Sequence, residues 1–131
     1  MPPVPLRRCI AARLLAAALV GGGGLPAFAG APDRGAAEIA ALLAHLGEST
    51  CAFERNGQWY SGSEGSAHLK RKWRQASLGG GDATAEQFID SVASRSSETG
   101  QPYTVRCDQG GDSPAGQWLM RLLQQMRKAG Q

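Results

Sequence analysis

Apolar residues return at Ile39, Leu42, Leu43 and Leu46, the i, i+3, i+4, i+7 spacing of one helical face, and Gly47 closes that run. His45 falls off the stripe and is expected to be exposed. Residues 30–35 carry a proline and two glycines and read as a flexible leader into this helix. The pattern then switches period. Cys51-Ala52-Phe53-Glu54-Arg55 alternates as a strand, Asn56-Gly57 is the turn dipeptide whose residues both tolerate positive φ, and Gln58–Ser61 returns as the second strand of a hairpin. On such an alternating strand one of Trp59 and Tyr60 faces outward.

A second helix is predicted from a Ser63 cap to about Ser77, with Leu69, Trp73 and Ala76 on one side and Glu64, His68, Arg71, Arg74 and Gln75 on the other. Leu78–Ala83 contains three successive glycines and reads as a loop. Thr84-Ala85-Glu86-Gln87 is a capping box, and Phe88, Ile89 and Val92 form the buried stripe of the helix it opens. Tyr103–Cys107 reads as a third strand after Pro102, and Asp108–Asp112 as a turn. Ser113-Pro114 reads as a cap followed by a first-turn proline. The final helix has Trp118, Leu119, Leu122, Leu123 and Met126 on its apolar face. The order predicts an α+β fold: a small three-stranded antiparallel sheet, one hairpin plus a third strand, packed with about four helices.

The N-terminal segment changes how charge and cysteines are read. Arg7, Arg8 and Arg13 precede or flank the apolar run Leu14–Val20, and Ala27-Phe28-Ala29 ends the segment, the order of a cleavable signal peptide. The run is short of the ~20 residues that span a bilayer, which disfavours an uncleaved anchor. Arg7-Arg8 leaves twin-arginine export as a minority route beside general secretion. The expected division is residues 1–29 as signal peptide and 30–131 as one α+β domain, periplasmic or secreted, with no transmembrane span after cleavage near Ala29. The whole chain has a formal charge of +3. Three of its 14 basic residues leave with the signal, so the remaining eleven balance the eleven acidic ones, and basicity is no argument for nucleic-acid binding. Cys9 leaves too. Cys51 and Cys107 then meet an oxidising compartment, where a disulfide is the expectation and two free thiols the alternative. If the first and third strands run side by side and antiparallel, both cysteines lie at one end, and the bridge would stabilise by about 4 kcal/mol in the chain-entropy model.

Phe53-Glu54-Arg55-Asn56-Gly57, His68-Leu69 with Lys72, the run Thr84–Asp90, the serine-rich run Val92–Val105 ending in Gly-Gln-Pro-Tyr, and Trp118-Leu119 together resemble the YfeK-like family of small exported bacterial proteins. The resemblance covers most of the chain beyond the signal. It implies a periplasmic-type location and a domain of unknown function, and it brings no assigned catalytic residues. The chain departs from the family at Gly65, where a larger helix former is expected, and at the Gly79–Gly81 insert.

Chemistry in the sequence is sparse. Lys70-Arg71-Lys72-Trp73-Arg74 is the densest positive charge; Trp73 falls on the apolar side, away from Arg71 and Arg74, unlike the basic–aromatic interleaving of single-strand binders. It reads as a solvated helix face or as a contact for an anionic ligand or an envelope protein. His68 lies one turn after Glu64; as a catalytic base it would need Ser96 or Ser97 as nucleophile, and no G-x-S-x-G elbow is present. Ser94, Ser96, Ser97 and Thr99 around Arg95 read either as local turn capping or as a hydroxyl nest for an anion or a peptide carboxylate. His45 and His68 stand at no metal-ligand spacing, so neither metal nor cofactor is expected. The candidate binding residues are therefore His68, Arg71, Arg74, Arg95, Ser96 and Ser97, with no assigned catalytic residue. The function expected is a non-enzymatic binding or accessory module of the cell envelope. A small hydrolase using His68 and a hydroxyl of the Ser94–Thr99 loop, or a purely structural envelope protein, are the alternatives. The sequence leaves the oligomeric state open.

Overall fold

The computed structural model describes residues 31–76 and 82–130. The signal peptide expected over residues 1–29 and the Gly79–Gly81 insert lie outside these residues. The elements are α1 (Ala31–Glu48), β1 (Ala52–Arg55), β2 (Gln58–Ser61), α2 (Gly62–Ala76), α3 (Ala85–Phe88) running directly into a π-helical segment (Ile89–Ala93), β3 (Thr104–Cys107), β4 (Gly111–Pro114) and α4 (Ala115–Ala129). The strands form one antiparallel sheet in the order β2-β1-β3-β4.

The α+β reading holds, but the sheet has four strands, not three. Asp108–Gly110 suffice for the turn, and Gly111, at a φ of 61°, starts β4. Arg106 and Asp112 face each other across β3 and β4, and the guanidinium grips both carboxylate oxygens at 2.6 and 2.9 Å. Pro114 is thus the last residue of an edge strand, where a missing N–H is tolerated. It occupies the cap position of α4, one residue earlier than expected, and Ser113 supplies no cap: its hydroxyl accepts from Arg121. The Ala115 amide donates instead to the Tyr103 carbonyl at 2.8 Å.

Two helix starts also differ from expectation. The stretch expected to be a flexible leader is helical from residue 31 onward. Gly35 within it is buried, because a Cβ there would meet the Ala83 carbonyl oxygen at 2.4 Å. The cap of α2 is Ser61 rather than Ser63: its hydroxyl accepts from the Glu64 amide, and the Glu64 carboxylate accepts from the Ser61 amide. The capping box at Thr84 and Gln87 forms as expected.

The core lies between the helices and one face of the sheet. Ile39, Leu42, Leu43 and Leu46 of α1 meet Phe53, Val105, Leu69, Phe88, Ile89, Val92, Leu119 and Leu123, all buried. Trp73 is half-buried, edge-on to Phe88 at 5.5 Å between ring centroids, whereas Ala76 is exposed. His45 and Trp59 are exposed and Tyr60 is half-buried. Gly65 is required by its neighbour: a Cβ would stand 2.6 Å from Cγ of Phe53, so β1 and α2 approach only because that position carries no side chain.

Cys51 and Cys107 form a disulfide with Cα atoms 4.3 Å apart. The register explains it. Ala52 pairs with Arg106 and Phe53 with Val105, so the residues before β1 and at the end of β3 fall opposite each other. On the far side, Arg127 of α4 donates to Glu38 of α1 at 2.8 and 3.0 Å and to Glu86 of α3.

Candidate functional site

The residues that converge lie where the hairpin end, α2 and the 94–103 loop meet. β1 delivers Arg55, the last residue before the turn, in which Asn56 and Gly57 both have positive φ. α2 delivers His68, Arg71 and Lys72 on one face, since residues three and four apart stack along a helix. The loop delivers Tyr103, whose ring is buried against Phe53 at 5.0 Å between centroids.

Arg55 Nη1 lies 3.0 Å from Nδ1 and 3.4 Å from Nε2 of His68, so the guanidinium sits against the imidazole as a whole. Its other neighbour is the Tyr60 ring, 5.6 Å from the guanidinium carbon to the centroid. Lys72 Nζ donates to the Tyr103 hydroxyl at 3.0 Å and to the Arg95 carbonyl at 2.8 Å, and stands 5.0 Å from the Tyr103 ring centre. The same hydroxyl is 3.2 Å from His68 Nε2. The phenol oxygen thus accepts from Lys72 on one side and faces Nε2 on the other. Arg55 can only donate, so its 3.0 Å contact makes Nδ1 the acceptor and puts the imidazole hydrogen on Nε2.

The electrostatics follow from this crowding. Burial first, then the charges of Arg55, Lys72 and Arg71, push the His68 pKa down to about 4, with Glu98 opposing weakly. The ring is therefore neutral at physiological pH. Burial and Arg55 also lower the Lys72 ammonium, and burial raises the Tyr103 phenol. Among the described residues, none of Arg55, Arg71 and Lys72 has a carboxylate at salt-bridge distance. The cluster thus concentrates donors and positive charge. It opens onto a cleft of about 260 Å³ between β1–β2 and α2, lined by Phe53, Arg55, Tyr60, Glu64, His68 and Arg71 among others.

The sequence-derived candidates divide. His68 and Arg71 line this cleft. Arg74 is exposed one turn further along α2, on the groove between α1 and α2. Arg95 enters the cluster only through its carbonyl; its exposed side chain lines a different groove, between the π-helical segment and α4. The buried Ser96 hydroxyl is spent on structure, accepting from the amides of Glu98 and Thr99 and from Asn56 Nδ2. Thr99 donates to Asn56 Oδ1 at 2.6 Å, tying the loop to the hairpin turn, and Gly100 takes a φ of 73°. Ser97 is exposed, and neither it nor Ser96 hydrogen-bonds His68, whose partners are Arg55 and Tyr103. Arg55 and Tyr103 are the members that sequence reasoning missed, and Lys72 was visible only as part of the basic run Lys70–Arg74. Arg55 was visible only as a polar strand position and Tyr103 only as the start of a strand. Among the described residues no group of three or more His, Cys, Asp or Glu could hold a metal, and no helix is long and apolar enough to cross a membrane.

Comparison with known proteins agrees with the resemblance read from the sequence. Residues 33–127 match the model of a family of unknown function, DUF5329. Over 80 residues the chain is 41% identical to the uncharacterised protein YfeK of Salmonella typhimurium strain LT2, a stretch that is 60% of this chain and 65% of that protein. The match thus spans just under two thirds of the relative's length. No solved structure matches the chain. The chain belongs to the DUF5329 family.

Proposed function

We propose that this DUF5329 member is an exported, non-enzymatic module of the cell envelope that holds an anionic group of a partner in the cleft between the hairpin and α2. One observation carries the reading: Arg55, Arg71 and Lys72 surround a neutral imidazole with, among the described residues, no carboxylate in ion-pair contact. Charges held this close repel one another, and a structure keeps such an arrangement at a cost unless a ligand supplies the opposite charge. The support for export is the N-terminal signal pattern together with the Cys51–Cys107 disulfide, a bond that persists in oxidising compartments. The hydrolytic alternative has no comparable support, because the Ser96 hydroxyl already accepts three hydrogen bonds within its own turn and hairpin contact.

The test is a titration of the purified domain with acetate, phosphate and sulfate, following the His68 ring protons by NMR. An anion seated beside Arg55 and Arg71 favours the imidazolium, so the His68 midpoint moves up from about 4. A midpoint indifferent to every anion, and unchanged in Arg71→Gln, removes the reading. Export is checked separately: the protein recovered from cells should begin near Gly30, in the periplasmic or secreted fraction.

A further inference from the structure

The cleft lies beside a sheet edge. β2 is an outermost strand, so among the described residues nothing pairs with its outer backbone groups, and Tyr60 of that strand forms one wall of the cleft. An edge strand next to a helix is where an extended peptide can add to a sheet, main chain to main chain.

Three features narrow what the bound anion carries. The first is shape. Arg55 is held between the His68 and Tyr60 rings, so its planar fork is pre-set, and such a fork matches a carboxylate through two parallel hydrogen bonds. Arg71, one turn on from His68, brings a second guanidinium to the same cleft. The second is the floor. Phe53 and Gly65 form an apolar base, and the volume of about 260 Å³ is below the roughly 300 Å³ at which pockets for drug-sized ligands begin. It holds about one residue. The third is what phosphate would want and does not find. Although Glu64 and Gly65 at the start of α2 line the cleft, the Glu64 amide is spent on Ser61, and the Glu64 carboxylate repels a dianion. With Oε2 of that carboxylate accepting from the Ser61 amide, its Oε1 can accept from a peptide N–H.

We propose that the cleft between β2 and α2 takes the C-terminal residue of an extended peptide: carboxylate on Arg55 and Arg71, apolar side chain on Phe53, preceding backbone along the edge of β2. This rests on the anion-binding reading above and specifies its ligand.

The experiment uses two probes, acetyl-Ala-Ala-Leu and acetyl-Ala-Ala-Phe, each as free acid and as C-terminal amide, titrated into the oxidised protein and followed by NMR. Binding of the free acids, with shifts at His68 and at the Gln58–Ser61 amides, is expected. The amides should bind at least tenfold more weakly, and Arg71→Gln, an exposed position, should weaken the acids at least fivefold. The acid–amide comparison needs no variant, so a misfolded mutant cannot blur it. Equal binding of acid and amide overturns the carboxylate assignment, and shifts confined to surfaces away from β2 and α2 overturn the site. Binding of inorganic phosphate without either peptide overturns this inference while the anion-binding reading stands. Failure of the peptides, phosphate, acetate and sulfate alike overturns both.

Discussion

Arg127 and Arg55 are both half-buried arginines that join distant elements, yet their surroundings are opposite. Arg127 sits between two carboxylates, Glu38 of α1 and Glu86 of α3, which it holds below their usual pKa range through hydrogen bonds. Arg55 sits between two aromatic rings, with Lys72 and Arg71 nearby and, among the described residues, no carboxylate in ion-pair contact. The first arrangement completes itself: charge is cancelled within the chain, and three helices are clamped. The second is left short of negative charge. Charge that the fold neutralises serves the fold, while charge that it gathers and leaves open is more costly than useful unless something else completes it.

The contrast can be broken most severely from below the open site. Gly65→Leu forces a side chain into the Phe53 ring, and overpacking of this kind costs about 3 kcal/mol. The urea midpoint should fall accordingly, and anion binding should vanish with the cleft. Next in size is the closed cluster. Arg127→Met leaves Glu38, only 15% exposed at its side chain, without its partner, and a loss of about 2 kcal/mol is expected by denaturant titration at neutral pH. Should that variant unfold at the wild-type midpoint, the clamp is ornamental and the contrast fails.

Acid sharpens the difference. The folded-state His68 pKa of about 4 lies below its ordinary 6.5, under the influence of burial, Arg55, Lys72, Arg71 and, opposing, Glu98. Between those values the unfolded chain binds a proton that the folded chain does not. Stability is therefore intact above pH 6.5 and declines as pH falls toward 4, by about 1 kcal/mol once solvent screening at this partly open site is allowed for. In His68→Gln the slope between pH 6.5 and 4.5 should flatten; an unchanged slope would assign it to other groups. The smallest effect belongs to Arg71→Gln. Removing one of three mutually repelling cations should leave the midpoint within about 0.5 kcal/mol of wild type or slightly above it. A clear loss would mean that Arg71 is structural.

Most of the scaffold was legible because it is local. The α1 stripe, the Asn56-Gly57 turn and the Thr84–Gln87 box each declare themselves within eight residues, and the structure contains all three. The cystine was legible one step further out, through strand direction. β4 was not, because Gly110 and Gly111 mark a turn, and only the facing Arg106–Asp112 pair shows that the chain returns as a strand. The same limit hid most of the site. His68 and Arg71 stood out by residue type, but Arg55 and Tyr103 come from 13 residues upstream of His68 and 35 downstream, from strand and loop positions with no pattern of their own. Gly65 looked like a departure from the family and is in fact the complement of Phe53, a relation that exists only once β1 and α2 pack.

The sulfur link has a mechanical consequence. Every residue of the open site, from Arg55 to Tyr103, lies on the stretch of chain that Cys51 and Cys107 close into a ring. Tension applied at the two chain ends passes from one cysteine to the other and never travels around that ring. Stretching the oxidised molecule can peel away α1, β4 and α4, but it cannot draw out the segment carrying the cleft until the ring is chemically opened.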